Sequence, residues 1–190
     1  MPRLVDREER RQMVMAVAFD LVARIGIEEL TFKQVAAATG YSTAIVSHYF
    51  QNKNELLFKV YELANGRARA RLMAAFEADL PLIDCFEQIL PIGEDSQKNW
   101  RVWLAFWGRV HLDPAYAEQR RLASVDSLAL YRAMLAERAP ALHGAALDEA
   151  AERLLVAVAG TALEACFNPA HWSARRQRAI IAAELARLPT

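Results

Sequence analysis

The sequence predicts an all-α fold of about nine helices. Three observations carry that expectation. Alanine and leucine, both strong helix formers, dominate the composition. Glycine and proline number 7 each in 190 residues, too few for the turns of a β-sandwich or barrel of this length. Apolar residues recur three and four positions apart, with capping signatures where the runs begin. Hydrophobic residues make up 54% and charged residues 24%, which excludes intrinsic disorder. Lys+Arg and Asp+Glu are both 23, which excludes a polycation that coats nucleic acid through bulk charge.

The elements can be justified in order. Asp6 to Glu9 reads as a capping box that opens a long amphipathic helix, with Val14, Val17, Leu21 and Ile25 at helical spacing and Gly26 as its stop. Thr31-Phe32-Lys33-Gln34 is a second box. Phe32, Val35 and Ala36 line one face of the short helix it opens, and Thr39-Gly40 stops it. Ser42 caps the next short helix, Thr43 to Phe50, which buries Val46 and Phe50. Asn52 to Glu55 is a further box, and the helix it opens runs from Asn54 to Leu80, weakened at Gly66 by about 1 kcal/mol relative to alanine.

Two short helices joined by the turn Thr39-Gly40-Tyr41-Ser42, packed on a longer helix, form a helix-turn-helix pattern. With Val46 and Phe50 buried, the second short helix presents Thr43, Ala44, Ser47 and His48. Small and polar groups of this kind let a helix approach base edges in the major groove, and the helix N-terminus favours a phosphate. Topology alone fits an ordinary helical domain equally well. Residues 1–50 carry six Lys/Arg and six Asp/Glu, so charge does not decide between the two.

The stretches Thr31 to Ala36, Gly40 to Thr43 and His48 to Leu57 resemble the DNA-binding domain of TetR-family regulators, over the first third of the chain. The resemblance implies a DNA-binding unit at residues 1–53 and a ligand-binding and dimerisation unit at 54–190, linked by the long helix from about residue 54. It implies that Ser42 and Thr43 begin the recognition helix and that Tyr49 and Lys53 hold phosphates. Thr31, Lys33, Ala44, Ser47 and His48 complete the expected DNA-contacting set. Tyr41 departs from the valine common after the turn glycine, and Ser47 from a frequent aromatic.

Further along, Leu82 to Leu90 reads as a short helix, and Glu94 to Gln97 as the cap of the next. Asp113-Pro114 opens a helix to about Glu137, Leu147-Asp148 opens one to about Phe167, and Ser173 caps a last one through Arg187. The last two helices can complete a monomer core or pair with a second copy. The family resemblance implies the second: a homodimer through those helices, set on a palindromic double-stranded DNA operator.

Trp100, Trp103, Leu104, Trp107 and His111 fall on one helical face, with Phe106 towards the other. An aromatic stripe fits core packing or a pocket for a small-molecule effector, whose quaternary ammonium group indole faces attract. Trp103 to Trp107, followed by His111, Pro114 and Tyr116, resembles the ligand-binding region of BetI-type repressors, as Ile45 to Phe50 resembles their recognition helix. That resemblance implies a choline-like effector held by Trp100, Trp103, Trp107, His111 and Tyr116. A different apolar or cationic inducer fits the same pocket. Glu87 and Glu164 are candidate counter-charges, or simply solvated.

Other classes find little support. Cys85 and Cys166 have no C-x-x-C spacing and suit a reducing cytoplasm. No signal peptide or bilayer-length apolar run is expected, so no membrane partner. His48, His111, His143 and His171 show no metal-ligand spacing, and no P-loop, serine elbow or GxGxxG is present, so neither catalysis, metal nor cofactor is expected. A helical ligand-binding module without DNA affinity is the remaining alternative.

Overall fold

Helix α1 (Pro2–Glu29) starts the chain's architecture and breaks once, at Gly26, where φ 78° and ψ 175° define a backbone that only glycine adopts readily. The computed structural model describes the backbone of residues 2–189 and the side chains of residues 7–189. Proline at a first helical position lacks only an N–H that has no partner there, so the helix begins before the expected box at Asp6, whose side chain lies outside the described residues. Helix α2 (Phe32–Thr39) has its capping box complete: Gln34 N donates to Thr31 Oγ1 at 3.2 Å and Thr31 N to Gln34 Oε1 at 2.8 Å. Gly40, at φ 74°, ends it. Helix α3 (Thr43–Tyr49) is capped by Ser42, whose Oγ accepts from Ile45 N at 3.3 Å.

Helix α4 (Lys53–Glu77) is capped by Asn52, but the Glu55 carboxylate accepts from Gln51 N at 2.7 Å, so this box closes one residue earlier than expected. The helix stops short of Leu80 because Asp79 turns left-handed, with φ 59°. Arg138 braces that turn, donating to Phe76 O at 2.9 Å and meeting Asp79 at 2.5 Å. Helix α5 (Leu82–Glu87) is shorter than expected, since Ile89 and Leu90 donate three residues back, in the tighter 3₁₀ manner.

Gly93, not the polar run after it, precedes α6 (Glu94–Trp107), and Glu94 to Gln97 form its first turn. Helix α7 (Pro114–Arg138) is capped by Asp113 through Ala115 N at 2.9 Å. Helix α8 (Gly144–Phe167) begins three residues before the expected Leu147. Helix α9 (Ala174–Leu185) follows Ser173, whose side chain makes no cap bond. Among the described residues there are nine helices and no strand. None of them is long and apolar enough to cross a membrane.

Two apolar cores result. One is built from α1, α2, α3 and the first half of α4, and it extends past residue 53 to take in Val102, Phe106 and Tyr116. The other joins the second half of α4 to α5, α7, α8 and α9, with Trp100 from α6. Trp103 and Trp107 touch both. Helix α6 is therefore the shared wall of the two halves.

Candidate nucleic-acid interface and aromatic recess

Helix α3 is held by its greasy side. Val46 and Phe50 are fully buried. Ser42, Thr43, Ala44, Ser47 and His48 are exposed on the opposite side, as their spacing predicts. Ile45 joins them at 37% exposure. Its hydrophobicity hid it from the candidate set, yet an apolar side chain on this solvent-facing side is of the kind that can contact a thymine methyl.

The surrounding candidates are placed less uniformly. Lys33 and Thr31 are exposed, and the Thr31 hydroxyl serves the α2 cap. Tyr49 is half-buried and meets His48 edge-on, with centroids 5.6 Å apart. Tyr41 folds back towards α1, its hydroxyl 3.5 Å from Met13 Sδ. Lys53 Nζ donates to Glu28 O at 2.8 Å, tying the start of α4 to the end of α1. Glu28 is also bound through its side chain, by Arg109 Nη1 at 2.7 Å. A second strut runs from the Tyr116 hydroxyl to Asn54 Oδ1 at 3.2 Å.

The tryptophans form one assembly with fixed orientations. Trp100 is buried and donates to Ile89 O at 2.7 Å. Trp103 and Trp107 pack against it edge-on, with centroids 4.9 Å and 5.7 Å away. Trp103 Nε1 donates to Asn65 Oδ1 at 2.9 Å, and Trp107 Nε1 to the Tyr61 hydroxyl at 3.2 Å. Burial pushes the Tyr61 phenol above its ordinary pKa, against the opposing pull of the Trp107 hydrogen bond and of Arg120. The Arg120 guanidinium lies 4.4 Å over the Trp107 ring.

These side chains, with Tyr131 and Val158, line a recess of about 70 Å³. An adjoining cleft of about 410 Å³ shares Asn65, Trp103, Ser127 and Tyr131 with it and carries Glu62 and Asp126. Ligand sites of about 300–1,000 Å³, apolar with a few polar groups, are the usual size for small molecules.

Two sequence candidates stand elsewhere. Helix α6 ends at Trp107, so His111 leaves the predicted helical face and lies exposed in the following turn. Tyr116 is buried in the first core, among Phe58 and Phe106. Neither lines the recess. Glu87 is paired with Arg178 and Glu164 is exposed on α8, so neither balances a charge there. Tyr61 and Asn65 escaped the sequence reading, although their spacing of four on α4 puts both on one face. Arg120 and Asp126 carry no such signal. Among the described residues no group of three or more His, Cys, Asp or Glu is placed to hold a metal.

The comparisons agree with this arrangement. Residues 14–60 match the bacterial regulatory proteins of the tetR family, and residues 68–190 match the C-terminal region of BetI-type transcriptional repressors. The HTH-type transcriptional regulator BetI of Burkholderia thailandensis is 32% identical over 168 residues, covering 84% of this chain and 83% of that relative. A transcriptional regulator from Rhodococcus sp. Rha1 superposes with a TM-score of 0.80 at 24% identity, over 94% of this chain and 95% of that one. A regulator from Saccharomonospora viridis, solved in complex with choline, superposes with a TM-score of 0.78 at 21% identity, over 95% and 97% of the two chains. Matches to family regions over both parts of the chain, on a fold with an exposed helix-turn-helix face and an aromatic recess beside α6, place it: this chain is a transcriptional regulator of the TetR family, with a C-terminal region of the BetI type.

Proposed function

We propose that the protein is a homodimeric repressor that binds a palindromic operator through α3 and is controlled by a small molecule held in the recess. One observation supports this above the others. Trp103 and Trp107 on α6 line the recess, while Val102 and Phe106 on the same helix belong to the core that carries α3. Phe106 stacks on Tyr61 at 3.9 Å and 12°, and Tyr61 also receives the Trp107 hydrogen bond. A ligand that re-sets Trp107 thereby displaces both α4 and α6 against the DNA-binding unit. It shifts the equilibrium only by its preference for the conformation that does not fit DNA.

In this reading Thr43, Ala44, Ser47 and His48 face base edges, and Ser42, Thr31, Lys33, Tyr49 and Lys53 lie along the phosphates. The effector is choline-like, in keeping with the indole-rich recess, the BetI relative and the choline complex of the Saccharomonospora neighbour. Dimerisation runs through α8 and α9, where Val156 and Phe167 are each 70% exposed and Ile180 is 43% exposed. A repressor works where the DNA is, which locates it in the cytoplasm.

The test is a mobility-shift titration with the DNA upstream of the protein's own gene, with and without choline. The expected result is a salt-sensitive shift, specific for an inverted repeat and altered by ligand. Equal retention of a scrambled duplex would overturn the reading.

A further inference from the structure

We infer that the effector is a zwitterion, a quaternary ammonium that also bears a carboxylate, and that Arg120 selects it over a plain cation. The inference rests on the recess being the effector site and adds a ligand class to it.

The argument begins with what already occupies the aromatic surface. A guanidinium over an indole face at 4.4 Å is a complete cation–π pair. Arg120 therefore takes the Trp107 face that an incoming cation would use, and a cation placed beside it meets like charge. Among the described residues that line the recess, Arg120 is the only charged one. Among the described residues no carboxylate forms an ion pair with it. The nearest in sequence, Glu118, is committed to Arg121, accepting from Nε and Nη2 at 2.7 Å each. The Arg120 fork of N–H donors is thus available for a planar, bidentate acceptor, the geometry of a carboxylate. Ser124, four residues on along α7, lines the same recess and adds a hydroxyl donor.

The adjoining cleft is close to neutral. Glu62, Asp126 and Arg69 are its charged groups, two carboxylates against one cation, with Glu62 shared with Lys59 at 2.7 Å. Trp103 is the wall common to cleft and recess, and its ring is not covered by a protein cation. Polarity therefore runs from a positive end at Arg120, past the open indole of Trp103, to a near-neutral cleft in which Asp126 is the one lining carboxylate, among the described residues, that is in no ion pair. A trimethylammonium carboxylate matches that sequence, its carboxylate on Arg120 and its ammonium group against Trp103. Choline matches only the second half.

Calorimetric titration of the full chain with trimethylglycine and with choline tests this. The wild type should bind trimethylglycine at least tenfold more tightly. Arg120→Gln should abolish that preference, and Arg120→Lys, which keeps the charge but loses the fork, should retain part of it. Tighter or equal binding of choline by the wild type overturns the inference, as does a preference unchanged in Arg120→Gln. Trp103→Ala separates the two levels of the argument. If it weakens both ligands while Arg120→Gln leaves their ratio alone, the zwitterion fails and the effector site stands. If Trp103→Ala changes neither affinity, or neither ligand binds, the site reading fails and the zwitterion with it.

Discussion

Lys53 ties two helices together and is also the residue whose proposed phosphate contact is simplest to test. Its ammonium group donates to the Glu28 carbonyl at 2.8 Å, so the charge that is proposed to meet a phosphate stands at the junction of α1 and α4. Lys53→Ala should weaken specific and scrambled duplexes alike and lower the slope of log affinity against log salt by about 1. Anisotropy titrations at several salt concentrations measure this. An effect confined to one sequence would contradict a phosphate role. The capping side chains Thr31, Ser42, Asn52 and Asp113 were legible from sequence because a cap needs only a short polar side chain and a fixed offset to a backbone N–H. Arg120 was not legible. Its role comes from Trp107, thirteen positions away on another helix, and no local pattern encodes that meeting.

At the scale of elements, two glycines make opposite predictions. Gly66 lies in the middle of α4, and a methyl group there meets nothing within 4 Å. Gly66→Ala should stabilise the protein by about 0.5–1 kcal/mol, seen as a melting temperature higher by roughly 1–4 °C. Gly26 also has open space, but its φ of 78° with ψ 175° penalises any side chain. Gly26→Ala should cost about 1–3 kcal/mol by chemical denaturation. If both substitutions moved stability the same way, backbone conformation would not be the deciding effect. The helix positions were readable because apolar spacing and caps are local. Several ends were not, since they depend on long-range braces. Arg138 of α7 braces the turn where α4 stops, and α6 gives way after Trp107 to hydrogen bonds reaching three residues back, which carry His111 off the tryptophan face.

At the scale of the whole molecule, α6 packs into both cores, and the exposed apolar side chains of α8 and α9 form the proposed dimer face. Val156 is 70% exposed, so exchanging it for arginine leaves the fold of one protomer intact. Val156→Arg should convert a dimer into a monomer by light scattering, and operator affinity should fall with it, since two recognition helices read a palindrome together. A dimer that survives the change would move the interface elsewhere. The helix-turn-helix at the N-terminus was legible from its motif. The way α6 and Tyr116 enter the first core was not, because that packing joins residues far apart in sequence.

The most direct measurement for the whole account is selection from a randomised duplex pool by the wild-type protein and by Ser47→Ala. The account predicts an inverted repeat for the wild type and a changed base preference at one position of each half-site for the variant. Enrichment of no motif, or of the same motif by both proteins, would contradict base reading by the exposed side of α3.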